Sequence, residues 1–168
     1  MTATLEAPDV TPPAAAPWRD RLRPLGDNGG WLATGGIALI AGLLRFLRLD
    51  IPRGKIFDEI YYSCDAQNLL RFGVEQGSKA GSNCVPSGQP GFIVHPPLGK
   101  WLIGIGEKTF GVNEFGWRFS AAVAGTLSVL ILIRLARRMT GSTLLGCLAG
   151  LLLTLDGLHF VQSRTSML

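Results

Sequence analysis

Three apolar stretches, at residues 31–49, 115–135 and 143–162, most constrain what this chain can fold into. Each runs for about 20 residues, enough for a helix rising ~1.5 Å per residue to cross a bilayer. A soluble chain of this length would form one domain around one core. Here the apolar residues are gathered into spans instead, so the expected fold is all-α and integral to a membrane. The first stretch is no signal peptide: it follows a 30-residue tail, exceeds a usual signal core and precedes no small-residue cleavage site. The net charge of +4, from 16 basic and 12 acidic residues, does not point to nucleic acid. The basic residues sit at the ends of the apolar runs, where membrane topology and lipid head groups account for them.

Residues 1–28 carry five of the ten prolines and no periodic apolar face, and are expected to be a disordered tail. Arg19, Arg21 and Arg23 precede the first span, and Arg134, Arg137 and Arg138 close the second. Both clusters favour the cytoplasmic side. The expected topology has a cytoplasmic N-terminus, an extracytoplasmic loop at 50–114 and a short cytoplasmic turn at 136–142. The third span then returns outward. Arg45 and Arg48, at the outer end of span one, oppose this rule. Either they snorkel to the interface or they face an anionic ligand at the outer surface. Gly146 and Gly150 form a small-xxx-small pair suited to close helix packing. Asp156 and His159, three apart, share one helix face.

Within the loop, Tyr62, Ala66, Leu69, Leu70 and Gly73 fall on one side of a helix expected over 58–73, with Ser63, Gln67 and Arg71 opposite. Residues 77–91 read as irregular and turn-forming. A second helix is expected to start at Pro96-Pro97. Its apolar stripe is Leu98, Trp101, Leu102 and Ile105. Lys100, Glu107 and Lys108 interrupt it, so it should lie in the membrane interface rather than cross. Cys64 and Cys84 both lie in this loop, and whether they pair stays open at this stage. Cys147 reads as a small buried hydrophobe.

On this topology Asp58, Glu59, His95, Lys100, Asp156, His159, Arg45 and Arg164 all belong to the outer half. Ionisable groups gathered at one membrane level favour a functional site. Transfer from a lipid phosphate needs a carboxylate to take a hydroxyl proton and cations to hold the leaving phosphate. Bland roles compete: Asp58 could simply cap the following helix, and Asp156 with His159 could tie helices together. No metal-ligand spacing, phosphate-cradling glycine loop or nucleophile motif appears.

Taken in order, Arg45-Phe46, Phe57-Asp58-Glu59-Ile60-Tyr61-Tyr62, His95-Pro96-Pro97-Leu98-Gly99-Lys100, Phe110-Gly111-Val112-Asn113-Glu114-Phe115-Gly116-Trp117-Arg118 and Ser163-Arg164-Thr165 resemble the protein O-mannosyltransferases, the bacterial branch most closely. The likeness covers roughly residues 31–168. It implies a membrane glycosyltransferase of the C type that moves mannose from a polyprenyl-phosphate carrier to Ser or Thr of exported proteins, inverting the linkage. It further implies that Asp58 is the catalytic base, that Glu59 helps bind the acceptor, and that Arg45 and Arg164 lie near the donor phosphate. His95, Lys100, Asp156 and His159 join the substrate-binding set. Membrane lipid and the protein export machinery are expected partners; no cofactor is implied, and a need for divalent metal stays open. The family runs to several hundred residues, so this chain reads as its amino-terminal part, inactive alone. Two other readings remain: a sibling enzyme acting on lipid or glycan, and a non-catalytic membrane subunit.

Overall fold

The computed structural model describes residues 28–79, 84–91 and 94–167. The proline-rich tail and its three arginines lie outside these residues. Helix α1 spans Asn28–Phe46 and α2 Glu59–Phe72. Two short strands, β1 Gln76–Ser78 and β2 Pro86–Pro90, pair antiparallel. Then come α3 Pro97–Phe110, α4 Glu114–Thr140, α5 Thr143–Leu155 and α6 Gly157–Gln162.

Helix α4 is the axis of the assembly and packs against α1, α3 and α5. Asn113 starts it by accepting from the Gly116 amide at 2.9 Å. Gly141, at φ 68°, ends it in the left-handed region that glycine adopts freely. Ser142 caps α5 at once, so the α4–α5 turn is tight. The close approach expected of Gly146 and Gly150 is present: a Cβ on either would run into Arg137 or Ile133 of α4.

Among the described residues, Gly29–Phe46 and Glu114–Thr140 are long and apolar enough to cross a membrane. Both turn large apolar side chains outward, among them Leu39, Leu43, Leu127, Ile131 and Leu135. The third apolar stretch does not form one helix, as its hydrophobicity suggests. It breaks at Asp156, which leaves the helix at ψ 118° and accepts from the His159 amide at 2.7 Å to cap α6. The 13 residues of α5 reach only ~20 Å, short of the ~30 Å hydrocarbon core. Asp156 and His159 therefore meet as cap and capped residue, not as two side chains on one face.

Between α1 and α4 the chain folds over one end of the bundle. A small core of Tyr62, Ala66, Ile103 and Trp117 joins α2, α3 and α4. Cys64 and Cys84 form a disulfide that ties the hairpin to α2. The faces of α2 and α3 differ from those the periodicity suggests. Ser63 and Gln67 of α2 are buried, while Leu70 is exposed. On α3 the stripe of Leu98, Trp101, Leu102 and Ile105 faces outward, and Lys100 and Glu107 face in. The inward polar groups are buried because the facing elements bring charges and a disulfide, not only apolar side chains.

Candidate active site

The stretch that leads into α2 is held by one buried ion pair. Glu59 and Arg118 both have fully buried side chains and meet through two parallel bonds of 2.8 Å, from Nε to Oε1 and from Nη2 to Oε2. The Glu59 oxygens also accept from the Ile56 amide at 3.0 Å and the Ser166 amide at 3.0 Å. Arg118 donates its remaining N–H groups to the carbonyls of Leu49, Pro52 and Gly54. All five guanidinium donors and four carboxylate acceptor sites are thus used, as a buried pair requires. Burial pushes the Glu59 carboxyl up, but Arg118 and the two amides outweigh it and hold it below the ordinary carboxylate value. The lock joins the ends of α1 and α4, the start of α2 and the segment after α6. Glu59, expected to help bind an acceptor, has both oxygens already engaged.

Asp58 stands next to this lock and is free of it. It occupies the N-cap position of α2 in a helical conformation, and its carboxylate makes no capping bond. No hydrogen bond or ion pair among the described residues engages that carboxylate. Capping therefore does not account for Asp58. Its neighbour Phe57 is 69% exposed at φ 49°.

The arginines expected near a donor phosphate have particular partners. Arg45 is fully buried, not snorkelled: Nη1 donates to the Ala41 carbonyl at 3.1 Å and Nη2 lies 2.8 Å from His159 Nδ1. Its Nε has no hydrogen-bond partner among the described residues. Arg164 donates to the carbonyls of Leu44, Leu47 and Arg48 at 2.7–2.9 Å. These are carbonyls a helix C-terminus leaves open, and Arg164 closes the end of α1 with them.

Lys100 is buried between Glu75 at 2.7 Å and Asp65 at 3.0 Å. Desolvation works against its charge, but the two carboxylates overcome it and raise its pKa. His95 packs edge-on against Tyr62 at 5.5 Å, and the Lys100 ammonium sits 6.0 Å from the same ring. Tyr62 lies one helical turn after Asp58. Of the sequence candidates, then, Arg45 meets His159, Arg164 closes the end of α1, and Glu59, with Asp58 beside it in the chain, is tied to the segment after α6 through Ser166. Lys100 and His95 form a second group along α2, and Asp156 serves as a helix cap.

Arg118 is the residue that candidate selection misses, although a cation near the start of an apolar helix is its signal. Asp65 and Glu75 are missed too, because nothing in their local spacing points to Lys100.

A family model described as dolichyl-phosphate-mannose–protein mannosyltransferase matches residues 94–167. Three relatives are named polyprenol-phosphate-mannose–protein mannosyltransferases. The chain is 43% identical to that of Mycolicibacterium smegmatis over 99% of its own length and 31% of the relative's. It is 42% identical to that of Mycobacterium tuberculosis over 96% of its length and 30% of the relative's. With that of Corynebacterium glutamicum the identity is 36%, over 79% of this chain and 25% of the relative. The chain thus spans less than a third of the length of these proteins. No solved structure matches it.

Proposed function

Because this chain belongs to the protein mannosyltransferase family, we propose that it carries the catalytic base of an enzyme transferring mannose from a polyprenyl-phosphate carrier to Ser or Thr hydroxyls of exported proteins. The observation that carries this is the contrast between two adjacent carboxylates. Glu59 is saturated by protein donors, while Asp58 has none among the described residues. A base must keep a lone pair free for the hydroxyl proton and must be held in place by its surroundings. Asp58 takes that proton as the hydroxyl oxygen attacks the anomeric carbon. The bond to the carrier phosphate breaks on the opposite face, so the linkage inverts. Arg45 and His159 supply positive charge or donors near the departing phosphate, and Arg164 keeps the end of α1 in register beside them. The test is transfer of labelled mannose from polyprenyl-phosphate mannose to a Ser/Thr peptide by the full-length enzyme in membranes. A product on lipid or glycan, but not on peptide, would favour the sibling reading.

The same reading places the loop between α1 and α4 outside the cytoplasm. A disulfide persists in an oxidising compartment, and the outward stripe of α3 suits the lipid interface. With Cys147 replaced by alanine, a cysteine at the exposed Gln89 should react with an impermeant maleimide added outside intact cells. One at the exposed Met139 should react only after lysis. The opposite pattern would overturn the topology.

Arg45→Ala should raise the KM for the lipid donor about tenfold to a hundredfold, since a charged hydrogen bond contributes ~1.5–3 kcal/mol. The KM for the peptide should stay nearly constant. Equal effects on both substrates would reduce Arg45 to a helix-packing residue.

A further inference from the structure

One buried acid has no place in the site above. Glu107, on the inward face of α3, is 2% exposed, and neither carboxyl oxygen has a hydrogen-bond partner among the described residues. It lines a cavity of about 260 Å³ together with Gln67, Leu70, Arg71, Lys108 and Val112. An unpartnered buried carboxyl is costly and calls for an occupant that completes it.

The chemistry of the lining narrows that occupant. Burial pushes Glu107 up to about 8, against the opposing pull of Lys55 and Arg71. At neutral pH it is therefore mostly the neutral acid, offering one O–H donor and one carbonyl acceptor. A matching ligand must both accept and donate. A phosphodiester only accepts, and would leave the carbonyl oxygen unmatched. A cation would be repelled by Lys55, Arg71 and Lys108. The volume lies just under the ~300 Å³ at which small-molecule pockets begin, so it suits a single ring better than a peptide segment. Adjacent hydroxyls on one ring supply both functions, and Leu70 and Val112 offer apolar walls for its C–H face.

We propose that the cavity between the C-terminal ends of α2 and α3 is a sugar subsite, in which Glu107, Gln67 and the two rim cations hydrogen-bond a hexose. The inference rests on the mannosyltransferase reading for its biological sense. Along α2, Gln67 and Arg71 lie 9 and 13 residues from Asp58, ~14 and ~20 Å away, so this side of the subsite stands clear of Asp58, while Lys55 lies between Glu107 and Glu59. It would recognise a mannose already placed on an acceptor and favour further transfer to neighbouring hydroxyls.

The test is direct binding of methyl α-mannopyranoside to the full chain in detergent, followed by saturation-transfer NMR. The wild type should bind saturably. Glu107→Gln, which keeps one donor and one acceptor, should bind within about threefold of wild type. Glu107→Leu should bind at least tenfold more weakly. Binding to wild type should fall as pH rises through about 8 and Glu107 loses its O–H, whereas Glu107→Gln should not follow that titration. The charged groups facing Glu107 are Lys55, Arg71 and Lys108. Those at the start of α4, Glu114 and Arg118, are spent on Gly54 and Glu59. Asp58→Asn should bind as wild type does, which separates this subsite from the transfer chemistry. An intact Cys64–Cys84 disulfide and native-like circular dichroism would certify each variant. Absence of saturable binding in wild type, equal binding by Glu107→Leu, or preference for inorganic phosphate over the glycoside would each overturn the proposal.

Discussion

Arg118→Ala should destabilise the full chain by about 3–5 kcal/mol, the usual loss when one partner of a buried ion pair is removed. The substitution strands the Glu59 carboxylate in a fully buried position and frees three loop carbonyls at once. Arg118→Lys should fall between the two, because three ammonium donors cannot serve both Glu59 oxygens and three carbonyls. The pH dependence should invert as well. In the wild type the Glu59 pKa is depressed below its ordinary value of 4.5. Its stabilisation is therefore complete above that pH and is lost as pH falls through the folded value. Without Arg118 the buried carboxyl is pushed up by its burial, so stability should decline as pH rises through its raised folded value. Thermal unfolding in detergent from pH 4 to 8 reads both effects. A loss under 1 kcal/mol with unchanged pH dependence would mean that the lock does not hold the loop.

In the full-length enzyme, Asp58→Asn should cut transfer by ~10²–10⁴-fold, the range for a positioned general base. Membrane insertion and the thermal midpoint should barely move. The side chain makes no capping bond, so replacing it removes no structural contact among the described residues. An amide of the same shape cannot take up the hydroxyl proton. The companion substitution Glu59→Gln should fail differently, lowering stability together with activity, because it weakens the bonds to Arg118. Near-normal transfer by Asp58→Asn would remove Asp58 from the chemistry.

The two long spans and the helices after Asp58 and Pro96 are legible in the sequence because each carries its own periodicity or stop signal. Gly73 ends α2 where its periodicity stops, whereas α4 runs on to Thr140, through most of the turn expected at 136–142, before Gly141 ends it. The break at Asp156 is not legible: within an apolar run an aspartate reads equally well as a polar spot on a continuous helix. Only its bond to the His159 amide decides. Periodicity finds the stripe of Leu98, Trp101, Leu102 and Ile105 but does not say whether protein or lipid covers it. The site divides the same way. Asp58 and Glu59 announce themselves as a pair, yet their separate roles depend on Arg118 and Ser166, which lie 59 and 107 residues further along.

Those separations bear on how the chain is made. Glu59 emerges first with only the Ile56 amide at hand until Arg118, and later Ser166, leave the ribosome. At ~5–20 residues per second the full set of bonds becomes available only after roughly 5–20 s. Until then the start of α2 must remain hydrated, and the following helix cannot settle into its final position. Closure of the loop is therefore a late assembly event, timed by the arrival of the third apolar stretch rather than by the loop's own sequence.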